Sequence, residues 1–470
     1  MLKNLKLVIT TFLLSAGFAF AQTGTGSIKG TVTDKITGEV LPFVKVVVYQ
    51  GEQQKGVAST DFNGDFLISS LAPGEYDVEF HFIGYQPFRS NGVVVSSDKY
   101  TILGDIKIGQ TTEMLEVVEV VTYAVPLINK DGGASGGTVS RDDISKMPTR
   151  DATGIASTVG GVYSAEGSGT LSIRGARAED TYYYIDGIKV RGSSSLPKSA
   201  MQEVSVITGG VPANYGDVTG GIVSITTRGP SAQYFGSFEG VTSGFYFGGQ
   251  NPLGYDGKVI GLDKYAYNLF EGMISGPLLI KKDSTCAKTT PILGFFLSAN
   301  FTDQLDTRPL ANGGAYRLKE DTRDSLLANP LRPTGLGQGT YYNASYLRHN
   351  DDPALSDFEQ VRWRMNARNR AFSAAGKIDV NAGPNINLTF GGSMALNSGR
   401  VYSYNNSLMN FENFGQNTNY DWRVYGRFTQ RFNKSEEGST SKVKSAYYSV
   451  MIDYSQSHDK SCDATHQDRI

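Results

Sequence analysis

Along most of the chain the apolar positions recur at every second residue, which is the period of a strand with one buried face. In 446–455, Tyr448, Val450, Ile452 and Tyr454 fall on one face while Tyr447, Ser449, Met451, Asp453 and Ser455 fall on the other. Ile386, Leu388, Phe390 and Met394 likewise oppose Asn387, Thr389 and Ser393, and Trp422, Val424 and Phe428 oppose Asp421, Arg423, Arg427 and Arg431. The pattern predicts long strands over 233–244, 265–276, 292–303, 369–380, 385–396, 420–432 and 445–457. Nearer the N-terminus the runs are shorter and rich in β-branched residues: 27–33, 43–49, 56–60, 66–69, 76–83 and 102–108. Turn clusters such as Thr37-Gly38, Asn63-Gly64 and Ala72-Pro73-Gly74 separate them, so 27–112 reads as a small immunoglobulin-like β-sandwich.

Composition agrees with a chain dominated by β structure. Of 470 residues 39% are hydrophobic and 19% charged, which excludes an intrinsically disordered chain; Gly 55, Tyr 26 and Phe 24 beside Trp 2 favour turns and strands over helical cores. A net charge of -2 gives no general attraction to nucleic acid. Lys3 and Lys6 precede an apolar stretch from Leu7 to Phe20 that closes with Ala19-Phe20-Ala21, the pattern of a secretory signal peptide over 1–21. Beyond it no segment reaches about 18 uninterrupted apolar residues, so helical membrane spans are not expected. A transmembrane β-barrel needs only alternation and stays open, as does a water-soluble β-sandwich.

Connection lengths discriminate between those two. The links after the first, third and fifth long strands are long and those after the second, fourth and sixth are shorter, as expected when one side of a membrane carries loops and the other turns. The stretch from Gln304 to Arg368 is also too long for a structureless loop in a compact soluble domain. We therefore read 230–470 as the first part of an antiparallel outer-membrane barrel. Ahead of it, 113–121 interleaves Glu113, Glu116 and Glu119 with Leu115, Val117, Val118, Val120 and Val121, suited either to adding as a strand to another protein's sheet or to forming an edge strand of the next domain.

Two segments carry family resemblances. Gly30-Thr31-Val32-Thr33-Asp34, Gly38-Glu39-Val40-Leu41-Pro42, Thr60-Asp61-Phe62-Asn63-Gly64-Asp65-Phe66 and Leu71-Ala72-Pro73-Gly74-Glu75-Tyr76 make the sandwich similar to the carboxypeptidase regulatory-like domain. Between 122 and 229 stand Leu171-Ser172-Ile173-Arg174-Gly175, Tyr184-Ile185-Asp186-Gly187-Ile188, the run from Gly209 to Gly216 that ends in Asn214-Tyr215-Gly216, and the run from Gly220 to Gly229. In that order they resemble the α+β plug domain of TonB-dependent outer-membrane receptors, in the Bacteroidota arrangement of sandwich followed by plug. The resemblance implies that Glu116, Val117, Val118, Glu119, Val120 and Val121 form the energy-coupling TonB box, that Arg174, Gly175, Asp186, Gly187, Tyr215 and Gly216 are plug positions that hold plug to barrel or serve tight turns, and that the partners are TonB, outer-membrane lipid and a small extracellular ligand. Glycan importers of this family carry a longer signature where this chain reads Ala213-Asn214-Tyr215-Gly216-Asp217-Val218, so a glycan is not implied and the ligand stays open. Since the family barrel has about 22 strands, the resemblance also implies a truncated barrel.

The function expected is energy-coupled uptake across the outer membrane, with an adhesion or assembly protein on the same scaffold as the alternative. No enzyme is expected and no cofactor. Gly133-Ala134-Ser135-Gly136-Gly137 fits a serine-hydrolase elbow, but neither a preceding buried strand nor a nearby histidine accompanies it. The start of 61–65 is reminiscent of a calcium loop and lacks the glycine and glutamate that such a loop requires. Cys286 and Cys462 are expected on opposite sides of the membrane and unbridged. His458, Cys462 and His466, spaced four and four, would share a helical face and offer nitrogen and sulfur to zinc or copper.

Overall fold

The computed structural model describes residues 25–51, 53–96, 99–110, 119–122, 135–164, 170–190, 195–212, 215–216, 218–231, 233–243, 266–282, 289–310, 315–337, 339, 341–342, 347–361, 363–383, 386–433 and 445–463. The signal-peptide segment 1–21 lies outside them.

The N-terminal module is a two-sheet sandwich. Its strands are β1 (Gly26–Asp34), β2 (Lys45–Gln50), β3 (Gln53–Ser59), β4 (Asp65–Leu71), β5 (Gly74–His81), β6 (Phe88–Val95), β7 (Tyr100–Ile108) and β8 (Glu119–Thr122). One sheet runs β4-β1-β7 and the other β3-β2-β5-β6-β8. Alternate residues of both sheets, among them Ile28, Val32, Val46, Val48, Phe66, Val78, Phe80 and Val95, close a single apolar core. Sequence patterning anticipated six of these strands and missed β6, because Asn91-Gly92 in its middle reads as a turn. Gly92 instead takes a φ of 74° beside a register shift between Tyr76 and Val78, so the strand passes through a bulge without ending.

The second module begins with β9 (Ser135–Ser140), α1 (Arg141–Lys146) and α2 (Ala152–Ala156). The short pair β10 (Val162–Tyr163) and β11 (Ser172–Ile173) follows, then β12 (Tyr182–Ile185), β13 (Ile188–Lys189), β14 (Met201–Gly209) and β15 (Ile222–Thr227). Five of these strands form one mixed sheet in the order β13-β12-β15-β14-β9. Helix α1 starts at Ser140, whose hydroxyl accepts from the Asp143 amide, and buries Ile144 against the sheet. Ser135 opens a strand, so no nucleophile elbow forms there.

The third module is a sheet of β16 (Phe235–Thr242), β17 (Tyr267–Lys282), β18 (Thr289–Gln304), β23 (Asn369–Gly383), β24 (Ile386–Arg400), β25 (Gly415–Asn433) and β26 (Ser445–Asp463), each antiparallel to the next. All seven anticipated strands are present in order, and most run further than alternation alone suggested. Burial is inverted relative to a soluble sheet: Phe238 is 76% and Ile452 74% exposed, while Lys377 is 6%, Arg427 4% and Ser298 0% exposed. A water-soluble sandwich would bury the apolar face. Apolar outside and polar inside is the barrel arrangement, with the second module filling the concave side. No helix among the described residues is long and apolar enough to cross a membrane.

The stretch between β18 and β23 is folded. It holds β19 (Ala315–Leu318), α3 (Glu320–Ala328), β20 (Arg332–Pro333), β21 (Tyr341–Tyr342) and β22 (Phe358–Val361), with β19 paired to β22. Asp306, fully buried, accepts three hydrogen bonds from the Arg364 side chain and one from its amide, which fastens this insertion at its base.

Candidate functional site

The second module meets the barrel wall through two charged contacts of opposite sign. The first grows from a two-residue hairpin: β12 and β13 pair Ile185 with Ile188, and Asp186 and Gly187 between them take φ of 51° and 83°. Positive φ at both central positions is the type I′ turn that an Asp-Gly dipeptide favours. The turn is therefore a local structural element, and it also presents the Asp186 carboxylate to the wall. Its Oδ1 accepts from the Thr227 amide at 2.9 Å, and its Oδ2 accepts from the Thr227 hydroxyl at 2.6 Å and the Tyr425 hydroxyl at 3.0 Å. Lys377 Nζ lies 3.1 Å from Oδ2, and Arg427 donates to the Asp186 carbonyl at 2.7 Å.

Burial by itself pushes the Asp186 carboxyl up; the Lys377 ammonium, the two Thr227 hydrogen bonds and Arg427 outweigh it, so the group is held below its ordinary value as a carboxylate. The register explains why the wall groups converge. Thr389 pairs with both Asp379 and Arg427, and Lys377 stands opposite Gly391, which faces Tyr425, so residues of three neighbouring strands point to one spot on the lumen side.

The second contact centres on Arg150, just before α2. Its guanidinium donates to Glu239 of β16 at 3.0 Å and to Glu271 of β17 at 3.3 Å. These two carboxylates are direct cross-strand partners, and Glu271 also accepts from the Ser199 amide. Apolar packing accompanies both contacts: Met273, Phe296 and Ala375 of the wall join the core of Val204, Val206, Val223 and Ile225. Beside Arg150 lies a cavity of about 370 Å³ whose lining mixes Asn300, Ser373, Asn397, Asn419 and Asp421 with Leu269 and Leu396.

The other expected positions fall elsewhere. Arg174 and Gly175 form a second positive-φ turn, at 52° and 79°, and the Arg174 side chain bonds Ser135 inside the module rather than the barrel. Tyr215 is buried edge-on against Tyr184 with ring centroids 5.0 Å apart, and Gly216 follows at φ 32°. Of the strip 116–121, Glu119–Val121 lie in β8 paired with β6, and 116–118 lie outside the described residues.

The helical face expected for His458, Cys462 and His466 does not form. His458 and Cys462 sit in strand β26, where four residues span about 13 Å, too far for one ion, and His466 lies outside the described residues. No group of three metal-ligating side chains occurs among the described residues. Cys462 is a free thiol inside strand β26, which runs past the 445–457 expected from alternation, and Cys286 lies outside the described residues. Arg150, Lys377, Tyr425 and Thr227 were not singled out from sequence; the lumen-facing parity of the strands is a signal for the two on the wall, Lys377 and Tyr425.

Residues 27–108 match the carboxypeptidase regulatory-like domain and residues 129–222 the TonB-dependent receptor plug domain. The TonB-dependent transporter Oar of Myxococcus xanthus is 29% identical over 414 residues, which cover 81% of this chain and 37% of that protein. An iron-regulated outer membrane virulence protein of Vibrio cholerae is 29% identical over 145 residues, 27% of this chain and 22% of its own length. Among solved structures, the ferric enterobactin receptor of Pseudomonas aeruginosa is similar at 17% identity with a TM-score of 0.35, over 69% of this chain and 46% of the receptor. The chain thus spans well under two thirds of the length of these relatives. It is similar to TonB-dependent transporters, with a region that matches the carboxypeptidase regulatory-like domain ahead of one that matches the TonB-dependent receptor plug domain.

Proposed function

We propose that this chain provides the gate and part of the channel of an importer that moves an extracellular small ligand across the outer membrane with energy supplied by TonB. The observation that carries the proposal is the Asp186 contact. A buried residue at a rigid turn, its carboxylate held by Lys377 and its carbonyl by Arg427 of the wall, fixes the plug inside the lumen, and a plug so fixed blocks passage until work is done on it. The outer membrane has no nucleotide supply, so that work arrives mechanically. The strip from Glu116 to Val121, between sandwich and plug, is the point at which it is applied, because a strand-forming segment can be held through its backbone by a partner's sheet edge. The cavity beside Arg150 is where the ligand rests on the plug. Residues 1–21 are removed on export.

The test uses the intact protein in outer-membrane vesicles and the purified periplasmic domain of TonB as the probe. Proline at Val118 or Val120 removes a backbone donor from strand addition. Capture of the probe is lost in both variants while heat denaturation of the barrel is unchanged; unchanged capture by both would overturn the assignment of the strip.

A further inference from the structure

Around the Asp186 turn the buried charges do not balance. Lys377, Arg423 and Arg427 of the wall are 6%, 6% and 4% exposed, and among the described residues at this spot the one buried carboxylate is Asp186, 1% exposed. Asp379 and Asp421, two positions along from Lys377 and Arg423, are half-buried, and Asp379 already accepts from the Thr389 hydroxyl at 2.6 Å. Arg423 is the unusual member of the group. Its Nε and Nη1 are buried and meet no acceptor among the described residues, and the same holds for Arg427 Nε. Lys377 faces Asp186 Oδ2 and, at 3.5 Å, the Thr227 carbonyl, which occupies two of its three protons. A buried guanidinium without an acceptor is strongly destabilising, so these donors call for a further partner.

Two small cavities lie at the same place. One, of about 20 Å³, is bordered by Ile185 and Ser195 of the plug and by Ser393, Asp421 and Arg423 of the wall. The other, of about 10 Å³, is bordered by Asp186 and Thr227 of the plug and by Lys377, Ser393, Arg423 and Tyr425 of the wall. They share Ile185, Ser393 and Arg423, and their size matches the ~10–15 Å³ that one water-sized particle needs. We infer that this seam holds a single small inorganic anion, of chloride size and charge, against Arg423 and Lys377. Charge separates an anion from a water molecule of similar volume: a water needs acceptors for its own two protons, whereas the Arg423 and Arg427 nitrogens in want of a partner are donors. Volume excludes sulfate and organic acids. Because plug residues form one side of both cavities and wall residues the other, the site is complete only when the plug is seated. An anion that binds there therefore stabilises the seated plug by linkage. It adds to the Asp186 contact without replacing it, and it requires neither TonB nor a transported ligand.

The test uses the full chain in detergent, with sodium chloride against sodium gluconate at equal ionic strength, so that general screening is matched and only the size of the anion differs. Hydrogen exchange of the β12 and β15 amides slows about tenfold when chloride stands at ten times its Kd. Equal exchange in the two salts overturns the inference. Arg423→Gln keeps hydrogen-bond donors without the charge and abolishes the chloride dependence, while Arg423→Lys retains part of it. A glutamine variant that responds to chloride as the parent does also overturns the site. Bromide gives a readout that needs no variant: crystals of the parent soaked in sodium bromide show an anomalous peak touching Arg423 and Lys377. A water in that position, with no anomalous signal, overturns the assignment of an anion.

Discussion

Asp186 of the plug and Lys377 of the barrel wall stand 3.1 Å apart with both side chains almost wholly buried, and they are joined by the Tyr425 hydroxyl and the Thr227 amide. The pair is strong because it is completed by hydrogen bonds, and costly to break because neither charge can reach water. Asp186→Asn keeps the shape and leaves the ammonium unpaired. The expected loss is about 3 to 5 kcal/mol, and Lys377→Met added to it restores part of that loss. Denaturant melts of plug-sensitive fluorescence in detergent check both; an Asp186→Asn variant as stable as the parent would remove the lock. Gly187→Ala is expected to cost about 1 to 2 kcal/mol through its positive φ alone.

Arg150 separates two carboxylates that would otherwise face each other across neighbouring strands. Arg150→Met therefore destabilises the plug–barrel contact by more than the loss of an exposed ion pair, and Glu239→Gln in the same chain relieves it. The partly exposed setting of Glu239 keeps the expected figure to about 1 to 2 kcal/mol. Protease cleavage of the plug under native conditions measures it, and a double variant no more resistant than the single would contradict the arrangement.

The sandwich has its own pH limit. Asp34 accepts from the Tyr85 hydroxyl at 2.7 Å, the Ile36 and Thr37 amides at 2.7 and 2.9 Å, and the Gln110 amide at 3.0 Å. The Tyr85 hydroxyl is the largest of the influences that hold its carboxyl well below the usual range. With the folded value depressed, the stabilisation is complete above the unfolded value near 4 and is lost as pH falls below it. Tyr85→Phe is expected to flatten that acid limb while leaving the neutral region less stable. Urea midpoints from about pH 2 to 7 for the two proteins decide it, and parallel curves would exclude Asp34 as the source.

The connections that follow β18 and β24 are fastened into one unit. Arg323 of α3 meets Glu412 through two hydrogen bonds at 3.0 and 2.8 Å, Asn366 donates to the Phe411 carbonyl at 2.7 Å, and the Arg364 guanidinium lies 4.3 Å from the Tyr402 ring centroid. Arg364→Lys replaces a planar fork by a point charge and leaves buried Asp306 poorly paired, so hydrogen exchange accelerates in both connections together. Glu412→Gln, at an exposed pair worth at most about 1 kcal/mol, accelerates only 401–414. Acceleration confined to 305–368 in the lysine variant would show that the connections are independent.

Features that depend on neighbours along the chain were legible in the residues themselves. Alternation fixed which residues of each long strand face the lumen, so Arg423 and Arg427 were separated from Val424 and Phe428 correctly, and Asp186-Gly187 specified its own turn. The sandwich motifs and the ordered plug motifs are likewise local. Tertiary structure alone decided what those faces meet. Asp186 and Arg427 lie 241 residues apart, and only the register of three wall strands brings Lys377 and Tyr425 to the carboxylate of Asp186 and Arg427 to its carbonyl. The same holds for the strip at 119–122. Its strand tendency was legible, yet its partner was hidden because the one strand it joins, Phe88–Val95, carries an Asn-Gly pair that reads as a turn and is in fact a bulge. His458 and Cys462 show the converse: a spacing of four gathers side chains on a helix and spreads them along a strand, and pairing with β25 makes that segment a strand.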